Sequence, residues 1–330
     1  MDINNKGALV ISLDFELMWG VIDVQTTDGY GQTHVKQVPE VISRTISLFE
    51  KYDVHATFAT VGMIMYPDAK SLLSDLPHTH PAYTKSSMSP YEHDYISQIK
   101  ADDECLFFQP EIIKEIYSHT GMEIGTHTYC HYYCWAEGQT TEQFDADIRK
   151  AIEVARRDGI DIKSIVFPRN QVSDEHLKIC AQNGITSYRG NALKYFSEPK
   201  SRWEAVKNRI FRLLDAYINI GGYTSIPYSK LEYKEGMLNV CASRMLRPYS
   251  AQLSFLEGLR LRRIQKEMVH AAQKGEMYHL WWHPHNFGAN MDANISFLES
   301  VLKTFKMCRE KYGMMSFTMA ELNEKLKHYG

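Results

Sequence analysis

The 330-residue sequence has the composition of an ordinary globular protein, with 44% hydrophobic and 23% charged residues. Its formal net charge of −3 and the lack of a Lys/Arg-rich run argue against nucleic acid as a partner. No stretch supplies the roughly 20 consecutive apolar residues that a transmembrane helix needs. The opening residues lack the features of a signal peptide and the six cysteines are scattered, so we expect a cytoplasmic protein.

The first predicted elements form a β-α-β unit. Residues 8–15 (ALVISLDF) are apolar on both faces, which is typical of a strand covered by helices on each side. Residues 38–52 have apolar positions at helical spacing with Pro39 near the start, and residues 54–62 (VHATFATVG) indicate a second strand that ends in a glycine turn.

A long insertion follows the second predicted strand at residues 66–110. Four prolines interrupt it before its last residue, Pro110, and its periodicity is weak. Loops of this length are usually lids, binding loops or disordered segments. Its aromatic residues favour a packed lid, with a purely structural excursion as the alternative; they are Tyr83, Tyr91, Tyr95, Phe107 and Phe108.

Alternation of helices and strands then resumes to the end of the chain. Helices are predicted at 110–119, 141–158, 174–183, 201–214, 251–274 and 295–311 and in a last segment to residue 327, and strands at 122–126, 163–167, 185–189, 276–282 and 314–317. Seven or eight strand-helix repeats without a linker predict a single α/β domain over residues 1–330. A parallel barrel is the expected architecture, and an open doubly wound sheet is the alternative.

Two acids, Asp14 and Glu16, close the first predicted strand with Phe15 between them. Alternate residues of a strand share a face, so both carboxylates are expected to point the same way if the strand continues through Glu16. Buried like charges are costly unless a cation or a proton lies between them. The alternative is that one acid pairs with an arginine or caps a turn.

The segment 123–133 (EIGTHTYCHYY) contains His127 and His131 four residues apart. If the chain turns helically after Thr126, both imidazoles share a face and can bind one divalent metal ion. The alternative is a pair of hydrogen-bonded polar side chains. Cys130 and Cys134 are interpreted as packing residues, because four ligands within eight residues would overcrowd one ion.

Further polar residues also follow predicted strands. Arg169 stands where a guanidinium could orient a buried carboxylate or form a plain ion pair. In residues 277–288 (MYHLWWHPHNFG), Trp281 and Trp282 offer flat surfaces for a sugar ring, and His283 could donate a proton to a leaving amine. The active site of an α/β barrel lies at these strand ends, so we expect the clusters to converge.

The order of these motifs resembles the polysaccharide deacetylase family (carbohydrate esterase family 4, with the NodB homology domain) over essentially the whole chain. EIGTHTYCH resembles the metal-binding His pair, and SLDFE resembles a variant of the first motif, which usually has two adjacent aspartates. FPRNQ, LLDAY and HLWWHP are similar to the third, fourth and fifth motifs. The resemblance implies a metal site of Glu16, His127 and His131, with Asp14 as the catalytic base; Asp14 and Glu16 could also exchange roles. It further implies that Arg169 contacts the base and that Asp215 is a further catalytic residue. His283 would be the catalytic acid, with His285 as its substitute.

The family resemblance also implies a fold and a reaction. The fold would be an irregular, TIM-like parallel β/α barrel of about seven strands. The reaction would be metal-dependent removal of an acetyl or similar acyl group from an amino sugar, with zinc as the first expectation and cobalt, nickel or manganese as other fits. A nucleotide- or lipid-linked sugar for surface glycan or lipopolysaccharide synthesis is the expected substrate, and a homo-oligomer is compatible with the sequence. Alternatives are a metal-independent amide hydrolase of a small molecule, an inactive sugar-binding module and, less suited to the His pair, a glycosidase.

Overall fold

The computed structural model of the chain describes residues 5–191 and 213–327, together with Trp203, Lys207 and Phe211. Its strands are β1 (Ala8–Phe15), β2 (Ala56–Thr60), β3 (Met122–Thr126), β4 (Ser164–Ile165), β5 (Ser187–Tyr188), β6 (Ile226–Pro227), β7 (Tyr233–Lys234), β8 (Met237–Asn239), β9 (Arg244–Met245), β10 (Glu276–Trp282) and β11 (Met315–Phe317). Its helices are α1 (Val38–Tyr52), α2 (Ala69–Leu73), α3 (Pro110–Ser118), α4 (Thr141–Arg157), α5 (Asp174–Gln182), α6 (Glu257–Lys274), α7 (His285–Gly288), α8 (Met291–Tyr312) and α9 (Met319–Lys327).

The sheet runs in the order β6-β10-β1-β2-β3-β4-β5-β8-β7. The strands from β10 to β8 pair in parallel, whereas β6 and β7 are antiparallel additions. Four residues separate β8 from β9, and β9 pairs in parallel with β10. The sheet therefore curls back on itself. The predicted irregular, parallel α/β barrel class is therefore confirmed.

The central strand β1 is buried along its whole length, with β10 on one side and β2 on the other. Its apolar residues face the barrel interior on one side and the helices on the other, as expected for a strand covered on both faces. The register places Leu13 opposite Trp282 and Phe15 opposite Thr60, and Thr60 lies opposite Thr126. The carboxyl ends of β1, β2, β3 and β10 therefore meet at one edge of the sheet.

The structure departs from the sequence prediction mainly in the second half of the barrel. The strands predicted at 163–167 and 185–189 shorten to two residues each, and the segment between the predicted helices at 201–214 and 251–274, for which no strand was predicted, contains β6, β7, β8 and β9. The predicted helix at 201–214 falls largely outside the described residues. No helix within residues 5–191 and 213–327 combines the length and hydrophobicity needed to cross a bilayer.

The insertion at residues 66–110 is folded onto the barrel rather than extended from it. Tyr83, Phe107 and Phe108 are buried, and Trp19 packs edge-on against Phe107 at 5.0 Å between ring centroids. The Tyr83 hydroxyl accepts a hydrogen bond from the backbone of Tyr133. The insertion thus supports the loop after β3, and its action as a lid stays a prediction.

Candidate active site

The acid pair at the end of β1 lies inside the barrel. Asp14 and Glu16 are 3% and 4% exposed, and Phe15 between them packs into the hydrophobic core. Asp14 belongs to β1, and Glu16 comes one residue after it as the chain turns. The strand thus ends one residue earlier than the alternation argument requires, but both carboxylates line the same pocket.

Arg189 is the partner of Asp14. Its two terminal nitrogens donate to the two oxygens of Asp14 at 2.6 and 2.7 Å, and its guanidinium lies 4.2 Å from the centroid of the Trp281 ring. Burial opposes ionisation of Asp14, but the charges of Arg189 and His283 outweigh it and hold the pKa of this carboxyl below its ordinary value. Asp14 is therefore a fixed carboxylate.

The predicted contact of Arg169 with Asp14 is wrong. Arg169 donates to Asp23 at 2.6 Å and stacks on Tyr133 at 4.2 Å, because the chain turns sharply after β4 with Arg169 at φ 54°. Sequence reasoning missed Arg189, although it is the last residue of the strand predicted at 185–189. Arg189 could have been identified by the same pattern as Arg169, because both are arginines at the carboxyl end of a predicted strand.

Two imidazoles lie next to the carboxylate of Glu16. The Nε2 atoms of His127 and His131 lie 3.3 and 3.1 Å from one oxygen of Glu16. Ligand atoms of these three buried residues all lie within 4.8 Å of one another. The helical turn expected after Thr126 is absent: the loop is irregular, with left-handed φ values of 65° at Thr128 and 60° at His131.

Charge and hydrogen bonding in this group suit a divalent cation. The Nδ1 atom of His127 lies 2.8 Å from the carbonyl oxygen of Val166, which fixes the ring and leaves Nε2 as the coordinating atom. Burial lowers the pKa of His131, although Glu16 opposes the shift. Burial alone would raise the pKa of Glu16. The neighbouring imidazoles, of which His283 has the largest effect, outweigh burial and hold this pKa well below its ordinary value. Neutral imidazoles and an ionised carboxylate are the protonation states that bind metal.

His283 stands on the opposite side of the acids, just after β10. Its Nε2 atom is 3.6 Å from an oxygen of Asp14 and 3.6 Å from an oxygen of Glu16. Its Nδ1 atom lies 3.3 Å from the Asn286 amide nitrogen, and the Asn286 oxygen accepts from the Tyr30 hydroxyl at 3.0 Å. These contacts orient the Nε2 atom of His283 towards the carboxylates.

His285 is buried beside this group rather than in His283's position. It stacks on His283 at 5.1 Å between ring centroids, and its Nε2 atom is 3.8 Å from Glu16. Burial lowers the pKa of His285 to about 3. His285 is therefore a neutral wall of the site.

The two adjacent tryptophans of β10 have different environments. Trp281 lines the pocket, and its ring lies against the guanidinium of Arg189. Trp282 is fully buried and stacks on Phe287 at 5.6 Å between ring centroids. The expectation that both rings face the substrate is wrong for Trp282, because successive side chains of a strand point to opposite faces.

Asp215 is not brought to the site. It lies in a separate buried charge network, where its Oδ2 atom contacts Arg244 at 3.1 Å and Arg263 at 3.4 Å. Both arginines also contact Glu267. The predicted catalytic position of Asp215 is therefore wrong; the contacts of this residue tie the chain before β6 to α6.

The candidate site is a pocket of about 540 Å³ at the carboxyl ends of the strands. Its rim comes largely from the turn after β1, which sequence reasoning did not single out, together with Asn170 and Asn286. The lining residues are Asp14, Glu16, Gly20, Val21, Val24, Gln25, Tyr30, His127, His131, Arg169, Asn170, Trp281, His283, His285 and Asn286. None of them comes from residues 66–110.

The family model for polysaccharide deacetylase matches residues 25–188, about half of the chain. The chain belongs to the polysaccharide deacetylase family. The matched range contains His127 and His131, whereas Asp14, Glu16 and His283 lie outside it. No curated protein sequence matches the chain significantly.

Solved structures share the fold at low sequence identity. A protein from Mycobacterium smegmatis assigned to the polysaccharide deacetylases has a TM-score of 0.59 at 13% identity, covering 99% of this chain and 92% of that one. A GH57-type branching enzyme from Pyrococcus horikoshii has a TM-score of 0.54 at 13% identity, covering 98% and 70%. A 4-alpha-glucanotransferase from Thermococcus litoralis has a TM-score of 0.52 at 10% identity, covering 99% and 40%. Such likenesses establish the fold alone, so function must be argued from the site.

Proposed function

We propose that this protein is a metal-dependent hydrolase that removes an N-acetyl or similar acyl group from an amino sugar. The observation that carries the proposal is the meeting of Glu16 with the Nε2 atoms of His127 and His131, directly beside Asp14 and His283. A cation site, a fixed carboxylate and an imidazole around one pocket are the groups that metal-assisted hydrolysis of an amide would use, which supports the proposal.

The three ligands suit zinc. Two imidazole nitrogens and one carboxylate with an open position form a common catalytic zinc site, although cobalt, nickel and manganese accept the same donors. When bound, such an ion would act as a Lewis acid towards the acyl carbonyl and make a water molecule easier to deprotonate. Glu16 is the proposed acidic ligand, because Asp14 is already held by Arg189.

Asp14 is proposed to accept the proton of the attacking water, with Arg189 holding both carboxylate oxygens in place. The water oxygen forms a bond to the acyl carbon, and the bond from that carbon to the sugar nitrogen breaks. His283, whose Nε2 atom faces the acids at 3.6 Å, would give a proton to the departing nitrogen. The products are a carboxylate and a free amino sugar.

Trp281 is the proposed platform for the sugar ring, and His285 and Arg169 also line the pocket. The substrate that we favour is a nucleotide- or lipid-linked amino sugar used for surface glycan or lipopolysaccharide synthesis. We propose a cytoplasmic location, which the six free cysteines support. The choice of substrate is an extension by analogy from the family.

An acetate-release screen over nucleotide-activated acetamido sugars tests the proposal. The protein would be stripped with a chelator and reconstituted with zinc, cobalt, nickel or manganese. We expect acetate only from metal-loaded protein, and a fall of at least about 100-fold in His127→Ala. His119→Ala is the matched control, because this half-exposed imidazole pairs with Glu50 away from the pocket.

The same experiment separates the alternatives. Acetate release that survives complete removal of metal would support a metal-independent amide hydrolase instead. If metal binds but no acetamido sugar is cleaved, while Asp14→Asn retains sugar binding, the protein is a sugar-binding module. Metal analysis of the wild type and Glu16→Ala completes the test, with about one ion expected in the first and none in the second.

A further inference from the structure

An acidic residue interrupts the apolar side of α4. This helix buries Phe144, Ile148, Ala151 and Ala155 at helical spacing, and Asp147 lies on the same side, only 2% exposed. A buried carboxylate is costly unless its oxygens are hydrogen-bonded. Its contacts therefore indicate why an acid is present.

The backbone contacts of Asp147 come from the loop after β3. One carboxylate oxygen accepts from the backbone N–H of Tyr129 at 2.7 Å, and the other accepts from that of Cys130 at 3.1 Å. Within the described part of the chain, no lysine or arginine forms an ion pair with Asp147. Burial raises the pKa of Asp147 to about 6, although hydrogen bonds with the Cys130 side chain and with the backbone of Tyr129 and Cys130 oppose the shift.

Tyr129 and Cys130 are the central part of the loop that carries both imidazoles of the candidate metal site. This loop is not helical, and it requires left-handed backbone conformations at Thr128 and His131. Such conformations persist in residues other than glycine only when surrounding contacts hold them. The two amides bound by Asp147 lie directly between the strained positions.

We propose that Asp147 is a positioning residue for the metal site. By holding the amides of Tyr129 and Cys130, its carboxylate fixes the loop in the form that points both Nε2 atoms at Glu16. Asp147 touches neither the pocket nor the proposed ligands, so it acts through the loop. The inference rests on the proposed function, because it assumes that His127 and His131 bind metal.

The test compares Asp147→Asn with Asp145→Asn. An amide is nearly isosteric with the carboxylate, but it turns an N–H group towards one of the two backbone N–H groups, so one hydrogen bond is lost. Asp145 lies on the same helix and contacts Arg149 and Asn183. The dissociation constant for zinc would be measured by competition with a chromophoric chelator, and unfolding would be followed in chelator to monitor the fold.

We expect the zinc dissociation constant of Asp147→Asn to rise about 10- to 100-fold and that of Asp145→Asn to stay within about twofold. Wild-type affinity in a folded Asp147→Asn protein would overturn the inference while leaving the proposed function intact. Absence of zinc binding in the wild type would overturn both. Should Asp147→Asn fail to fold, amide hydrogen exchange of the metal-free wild type decides: protected Tyr129 and Cys130 amides support the inference, and freely exchanging amides overturn it.

Discussion

Gly20 lies against the side chain of Glu16, and the smallest possible enlargement there should damage the metal site. A Cβ atom at this position would lie 2.6 Å from Cγ of Glu16 and closer still to its carboxylate carbon. Non-bonded carbon atoms prefer separations of about 3.5–4.0 Å. In Gly20→Ala the Glu16 side chain must therefore move by about 1 Å or more.

That displacement is large compared with the tolerance of metal coordination. The Glu16 oxygen now lies 3.1 and 3.3 Å from the two imidazole nitrogens, and a metal-ligand distance is defined to within about 0.2 Å. We therefore expect Gly20→Ala to lose effective coordination by Glu16. Disturbing the support of a ligand typically costs 10- to 100-fold in affinity, or about 1.4–2.8 kcal/mol, and this is the minimum that we expect here.

The assay is zinc titration of Gly20→Ala by chelator competition, with unfolding followed in the absence of metal. Gly258→Ala provides the control, because a Cβ atom at that position meets nothing within 4 Å. The control should bind zinc like the wild type, and both variants should remain folded in chelator. Unchanged zinc affinity in Gly20→Ala would refute the assignment of Glu16 as a ligand.

Three further predictions concern the interior of the barrel and the wall of the pocket. Arg189→Met should reduce the free energy of unfolding in urea by about 3–5 kcal/mol because it leaves the buried Asp14 carboxylate without the guanidinium that binds both of its oxygens; recovery in the double variant with Asp14→Asn checks this cause. Trp281→Ala should raise KM with little loss of stability, whereas Trp282→Ala should cost about 3–5 kcal/mol of stability and leave KM of the folded enzyme nearly unchanged; equal effects on KM would contradict the assignment of faces. Burial, assisted by the charge of Arg189, lowers the pKa of His279 from 6.5 to about 3. Between these two pH values the unfolded chain binds a proton that the folded chain does not. The free energy of unfolding should therefore fall as the pH decreases, by up to about 1.4 kcal/mol per pH unit. Urea unfolding of wild type and His279→Asn in chelator between pH 4 and 6 measures this slope, which the variant should reduce.

Sequence periodicity located most elements because their burial is regular. The predicted strands at 8–15, 122–126 and 276–282 coincide with β1, β3 and β10, and the first helix with α1. These elements bury continuous apolar runs or one regular stripe. The strands β4 and β5 lie inside the predicted strands at 163–167 and 185–189 but keep only two residues each. The strands β6 to β9 also have only two or three residues each, and they are defined by their hydrogen-bonding partners rather than by a periodic pattern.

The sequence also indicated the central residues of the candidate site, since polar residues at strand ends converge in a barrel. Asp14, Glu16, His127, His131 and His283 line one pocket. The roles given to Arg169 and Asp215 depended on short motifs. A short motif shows neither the direction in which a side chain points nor the residue that it contacts in the folded chain. The error at Trp282 has a different cause. Adjacent side chains of a strand point to opposite faces, so only one of the two tryptophans of β10 could face the pocket.

Phe15 contributes no polar atom to the pocket, yet it anchors the chain between the two acids in the hydrophobic core. An acid placed at position 15 of this chain would put its carboxylate among those apolar side chains. Deleting Phe15 would thus exchange a hydrophobic anchor for a misplaced charge, which is a harsher change than neutralising either acid. Converting this chain to an adjacent pair of aspartates would require rebuilding the end of the strand, not a single substitution.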